Sequence, residues 1–116
     1  MPLNPFEITR TIVNALEEKK GEHILLIDIH EIASFTDYFV ICTGTSDRML
    51  DSLSKEVYEQ VNIGFKFKAS IEGIPSDGWL VMDYGDVVVH LFSPDRRDYY
   101  HLEQLWEKGK ILLKLI

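Results

Sequence analysis

The chain is poor in the residues that mark special architectures. It has one cysteine, Cys42, so no internal disulfide can form, and a reducing cytoplasm is its expected home. No apolar run approaches the ~20 residues that span a bilayer, and Met1 to Arg10 lacks a basic stretch followed by an apolar one. Seven glycines and four prolines in 116 residues leave no room for a collagen-like or low-complexity segment, and no linker or repeat divides the chain. Cations are scarce as well. Twelve Lys and Arg stand against nineteen Asp and Glu, a formal charge of -7. A protein that grips nucleic acid through phosphates needs the opposite balance, so direct binding to free nucleic acid is not expected. The acids are scattered rather than gathered in a tail, which fits a soluble body or one suited to a basic partner.

What is present reads as one domain over residues 1–116, at 46% hydrophobic and 27% charged residues. Asn4 can cap a helix with Pro5 at its first position, Glu7 placed for a capping box and Leu3 and Ile8 placed as a hydrophobic staple. Ile8, Ile12, Ala15 and Leu16 then share a face, and Lys19-Lys20-Gly21 is the expected stop, with Gly21 as left-handed terminator. Residues 24–29 and 38–43 are nearly continuous apolar runs, the pattern of strands buried on both faces. Ser46 caps a second helix with Leu50, Leu53, Val57 and Val61 inward and Gly64 as its end. Residues 65–69 alternate apolar Phe65, Phe67 and Ala69 with Lys66 and Lys68 and are expected to form an edge strand. Residues 79–83 and 87–92 flank a turn short enough only for an antiparallel hairpin, and Ser93-Pro94 opens a last helical region with Tyr99, Leu102, Leu105 and Trp106 as its apolar contacts. The expected fold is an α/β domain with a mixed sheet of about five strands flanked by helices.

The chemistry is sparse. Gly44-Thr45-Ser46 sits where a strand enters a helix and offers amides to a phosphate, as in nucleotidyltransferases. That chemistry needs a nearby carboxylate pair for magnesium, whereas Asp47, Asp51, Glu56 and Glu59 lie on the helix and Asp83 and Asp86 are split by the hairpin turn. A turn plus helix cap is the favoured reading. His23, His30, His90 and His101 form no metal-ligand spacing, Cys42 lies in a buried strand, and Ser34, Thr36 and Ser93 lack a nucleophile elbow. His90, in an otherwise apolar strand, reads first as a hydrogen-bonded, half-buried histidine. No catalytic set, cofactor or metal is expected.

Two long blocks carry a resemblance. The first is Asp37-Tyr38-Phe39-Val40-Ile41-Cys42-Thr43-Gly44-Thr45-Ser46 with Arg48. The second runs from Gly78-Trp79 through Phe92 and on through Arg97, Tyr100, Leu102-Glu103 and Leu105-Trp106. Together they resemble the Iojap family, the ribosomal silencing factors (RsfS), over nearly the whole chain; Met49 after Arg48 departs from the family's usual Arg-Gln. The resemblance implies a nucleotidyltransferase-like fold without the metal-binding carboxylates and a binding role rather than an enzymatic one. The implied partner is a protein of the large ribosomal subunit, at the face where the small subunit joins. Blocking that face represses translation, while organellar relatives act in large-subunit assembly. A nucleotide-binding enzyme built on Gly44 to Ser46 with Asp83, and a homodimeric scaffold, are the alternatives. A homodimer off the ribosome is compatible with ribosome binding if both use the same surface, since subunit binding would then dissociate the dimer.

Strand geometry sets Trp79, Val81 and Asp83 on one side of their strand and Leu80 and Met82 on the other. Periodicity alone leaves Trp79 balanced between a docking surface and a core position under the last helix, against Trp106 or Tyr100. The resemblance tips it toward docking, and brings Asp83, Tyr84, His90, Arg97 and Tyr100 with it as expected partner-binding residues.

Overall fold

The computed structural model describes residues 4–100 and 108–115. Helix α1 (Pro5–Glu18) leads to strand β1 (Glu22–Asp28), β2 (Tyr38–Thr43) and helix α2 (Asp47–Phe65). β3 (Ser70–Ile74), a 3-10 turn (Pro75–Asp77), β4 (Trp79–Asp83), β5 (Val87–Phe92), helix α3 (Pro94–Tyr100) and β6 (Lys110–Leu115) follow. The strands form one six-stranded sheet in the order β3-β4-β5-β2-β1-β6. Only β2 and β5 run parallel; the other neighbours are antiparallel. The mixed α/β architecture is the expected one, with a sixth strand where the tail had offered no clear pattern.

Alternation divides the core in two. Ile24, Leu26, Val40, Cys42, Leu80, Met82, Val89 and Leu91 meet the buried stripes of α1 and α2 on one face. Leu25, Ile27, Phe39, Ile41, Val88 and Phe92 point to the other face, where Ala33, Trp79 and Val81 pack against them. β1, β2 and β5 are therefore buried on both sides, as their continuous apolar runs require.

The helix ends differ from expectation in instructive ways. Asn4 caps α1 by accepting the Phe6 amide, while Glu7 lies 3.8 Å from Arg10 instead of reaching back to the cap. Leu3, the other half of the expected staple, lies outside the described residues, as do Leu102, Glu103, Leu105 and Trp106. α1 closes in a Schellman motif, with Gly21 N donating to Leu16 O at 2.8 Å and Lys20 N to Glu17 O at 2.9 Å. The left-handed residue is Lys20 (φ 62), not Gly21. Gly21 is required for another reason: a Cβ there would stand 2.5 Å from Cys42 Sγ and 3.1 Å from Leu16 O. α2 runs through Gly64 to Phe65 and ends at Lys66, again left-handed (φ 54).

Residues 66–69 are consequently a linker rather than a strand. Their alternation is real, since Phe67 and Ala69 pack on the core while the lysines are exposed, but sheet pairing begins only at Ser70. The lysine-bearing edge is β6 instead, with Lys110 opposite Asp28 and Lys114 opposite Leu25.

Two substitutions separate these roles. Gly21→Ala should destabilise the fold by about 1–3 kcal/mol, because the added methyl meets packed atoms that cannot yield. Lys20→Gly should leave stability unchanged or raise it by up to about 1 kcal/mol, by relieving the left-handed conformation. Urea unfolding of both variants beside the wild type reads the difference; equal losses would refute the assignment.

Candidate docking surface

Trp79 opens β4 directly after the 3-10 turn and Gly78, and pairs across the sheet with Phe92 on one side and Ile74 on the other. The predicted parity holds. Trp79 and Val81 pack on the face away from α1 and α2, whereas Leu80 and Met82 enter the helix-side core. Trp79 is half-buried: its indole stacks on Phe92 at 5.3 Å between centroids, and Nε1 donates to Nδ1 of His90 at 3.3 Å.

His90 is 7% exposed, wedged edge-on to Phe39 at 4.8 Å and parallel to Phe92 at 6.0 Å. Burial disfavours its charged form and pushes its pKa down to about 4, so the ring is neutral at pH 7. Because Nδ1 accepts the indole proton, the imidazole hydrogen belongs on Nε2, which has no partner among the described residues. His90 thus backs Trp79 from beneath, as the hydrogen-bonded histidine of its first reading, and is buried more deeply than expected of a residue that touches a partner.

The other expected site residues scatter. Asp83 is exposed on Trp79's side of β4, but four residues away, roughly 13 Å along an extended strand. Its Oδ1 accepts the Gly85 amide at 2.7 Å and so shapes the hairpin turn. Tyr84 is a correction. It is 2% exposed and belongs to the helix-side core, with its ring 5.5 Å from Phe67. Burial raises its phenol pKa. One residue past Asp83 the chain turns over the sheet end, and the side chain goes inward. Arg97 is half-buried, its Nη1 donating to His23 O at 2.6 Å and Thr43 Oγ1 at 2.9 Å, so it ties α3 to the ends of β1 and β2. The Tyr100 side chain lies outside the described residues.

Beside the indole lies a depression of about 350 Å³ lined by Glu72, Gly73, Asp77, Trp79, Val81 and Arg96. Arg96 Nε donates to Asp77 O at 3.1 Å, holding the guanidinium over the rim. Of these residues only Trp79 was expected at a site. Glu72 and Gly73 are brought to it by the β3–β4 pairing, where a strand over residues 65–69 was expected, Asp77 by the 3-10 turn and Arg96 by α3.

The Gly44 to Ser46 turn is occupied internally. Gly44 N donates to Phe92 O at 2.9 Å, Thr45 N points at Met49 Sδ at 3.3 Å, and Ser46 Oγ accepts from Met49 N at 3.0 Å. Strand register sets Thr43 level with Phe92 and Trp79, at the end of the sheet remote from Asp83. The nucleotide site that would join Asp83 to this turn is not assembled. Among the described residues no three His, Cys, Asp or Glu side chains gather to hold a metal, and no helix is long and apolar enough to cross a membrane.

Comparison with known proteins agrees with this architecture. The family model "Ribosomal silencing factor during starvation" matches residues 2–114. The ribosomal silencing factor RsfS of Bacillus subtilis is 36% identical over 104 residues, covering 90% of this chain and 88% of that protein. A mouse protein named for mitochondrial assembly of the ribosomal large subunit is 35% identical over 98 residues, 82% of this chain and 43% of the relative. A crystal structure of a Chromobacterium violaceum protein superposes with a TM-score of 0.86 at 33% identity, covering 90% of this chain and 88% of that one.

The buried histidine makes a pH prediction. Its folded pKa, about 4, lies below the ordinary 6.5, so the unfolded chain takes up a proton first. This contribution is therefore fully present above pH 7 and is lost as pH falls from 6.5 toward 4. Between pH 7 and 4.5 the wild type should lose about 2–3 kcal/mol more stability than His90→Phe. Urea unfolding at both values tests this; parallel losses would show that His90 is not held neutral.

Proposed function

The chain belongs to the ribosomal silencing factor family, and we propose on that premise that it acts as a cytoplasmic repressor of translation. In this reading it binds a protein of the large ribosomal subunit at the subunit-joining face and keeps the small subunit away. It needs no cofactor and catalyses no reaction. The observation that carries the reading is Trp79. A half-exposed tryptophan is the residue type that most often anchors a protein interface, and here its one polar atom is already satisfied by His90. A partner can cover the indole without stranding a donor, so its burial contributes to affinity at little desolvation cost.

Blocking needs only occupancy. A folded body with extents of 37 × 33 × 24 Å seated on a joining face clashes with whatever should meet that face, and affinity sets how often the seat is filled. The net charge of -7 supports a protein partner over bare RNA, since phosphates repel the domain while a basic protein surface attracts it. The name of the mouse relative points to the large subunit in particular.

Co-sedimentation with purified subunits tests the reading: the protein should pellet with large subunits, stay in solution with small ones, and lower the yield of joined ribosomes. Trp79→Ala should weaken large-subunit binding by about thirtyfold, the ~2 kcal/mol typical of an interfacial tryptophan. Because the indole also stacks on Phe92, the variant should melt cooperatively but at a lower temperature. Wild-type affinity in a variant that still melts cooperatively would remove Trp79 from the docking surface.

A further inference from the structure

The sheet has two outer edges, and they are guarded unequally. β6 presents Lys110 and Lys114, both exposed, and its register against β1 breaks between Leu26 and Ile27. Lysines and bulges are devices that stop an edge from accepting another strand. β3 has neither. Ser70–Ile74 is exposed at all five residues and contains no Lys, Arg or Pro. It pairs with β4 in unbroken register, and among the described residues no other backbone hydrogen bond engages it.

Both faces of this edge carry apolar footholds. Ile74, 55% exposed, lies opposite Trp79, and Glu72 opposite Val81, on the face bearing the depression beside the indole. Ile71, 45% exposed, lies opposite Met82 on the helix side, where it lines a groove with Tyr58 and Ala69. Gly73 joins the two regions. It sits at φ 91, and a Cβ there would collide with the Trp79 carbonyl oxygen, so the edge backbone lies directly against the tryptophan's own.

Acidic side chains outnumber cations on the indole side of this surface among the described residues: Glu72 and Asp77 line the depression and exposed Asp83 lies across from Ser70, against Arg96, whose Nε donates to the Asp77 carbonyl. In the helix-side groove Lys55, paired with Asp51 at 2.9 Å, stands beside Glu59. We propose that β3 is a receiving edge, to which an extended, basic segment of the protein partner adds as a further strand. Main-chain hydrogen bonds along Ser70–Ile74 supply the register, and alternate side chains of the incoming segment reach Trp79 on one face and the Tyr58–Ile71 groove on the other. A second copy of this chain fits less well, because antiparallel pairing of all five residues sets Glu72 against Glu72. The inference rests on the reading that a large-subunit protein is the partner, and names how that partner is held.

Glu72→Lys tests it, since Glu72 is exposed and the change adds to β3 the guard that β6 already has. The variant should melt like the wild type and bind purified large subunits roughly tenfold or more weakly. Ile111→Lys, on the other edge, should bind normally. Hydrogen exchange should slow at the Ser70–Ile74 amides when wild-type protein is bound to large subunits. Equal binding by Glu72→Lys, or edge amides that exchange as fast bound as free, would overturn strand addition while leaving docking through Trp79 intact. Protection of the same amides on raising protein concentration alone would make a second copy the occupant and overturn the partner assigned here. Failure of the wild type to bind large subunits would defeat the functional reading and this inference with it.

Discussion

Three strands of this sheet, β1, β2 and β5, carry apolar side chains on both faces, and both faces must be kept from water. Burial at roughly 25 cal/mol per Å² makes this the dominant stabilising term, and it dictates the rest of the architecture. One face is closed by α1 and α2, whose inward stripes begin at well-formed caps. Among the described residues, the other carries a run of aromatic side chains over its aliphatic ones. Phe39, His90, Phe92 and Trp79 stack in sequence, each within 4.8–6.1 Å of a neighbour. Phe35, 60% exposed, extends the group 6.0 Å beyond Phe39, and Trp79 is its half-buried member on β4.

A histidine within this lattice is a compromise between packing and polarity. A phenylalanine at position 90 would fill the same space without leaving a buried Nε2 unpartnered, but it would offer nothing to the indole N–H. An unsatisfied donor costs about 1–3 kcal/mol when desolvated, and Trp79 becomes desolvated whenever a partner covers it. His90 therefore carries a standing cost in the free protein that removes one from the bound state. That exchange fits the docking role proposed for Trp79.

Much of this was legible in the chain because local and tertiary signals agreed. Asn4-Pro5, Ser46 and the paired runs at 79–83 and 87–92 each combine a terminator with matching periodicity, and each became the element it announced. The errors arose where one local signal stood alone. Alternation at 65–69 marked which residues face the core but not whether a partner strand lay alongside. Lys110-Ile-Leu-Leu-Lys-Leu suits a helix or a strand, and only the open edge of β1 decides for the strand. Gly21 was read as a torsional need when its need is steric. The parity of β4 located Trp79 and Asp83 correctly, yet parity ends where pairing ends, and Tyr84 one residue later turned inward. Glu72, Asp77 and Arg96 carried no signal of their own, since three separate elements, the β3–β4 ladder, the 3-10 turn and α3, bring them together.

An unguarded strand edge is a hazard that natural sheets remove at small cost, by one lysine or one bulge. This sheet applies both devices at β6 and neither at β3, so the protein's own design contains the remedy it leaves out. A net charge of -7 and Glu72 at the centre of the edge discourage indiscriminate pairing among copies, because each copy brings the same sign. The same charges favour a basic strand. Under strand addition, exposure at β3 is selective: copies of the chain bring like charge to it, and it adjoins Trp79, whose donor is already satisfied. Edge, indole and charge act on a single face, where main-chain bonding would set register, the aromatic ring would supply affinity, and electrostatics would choose among partners.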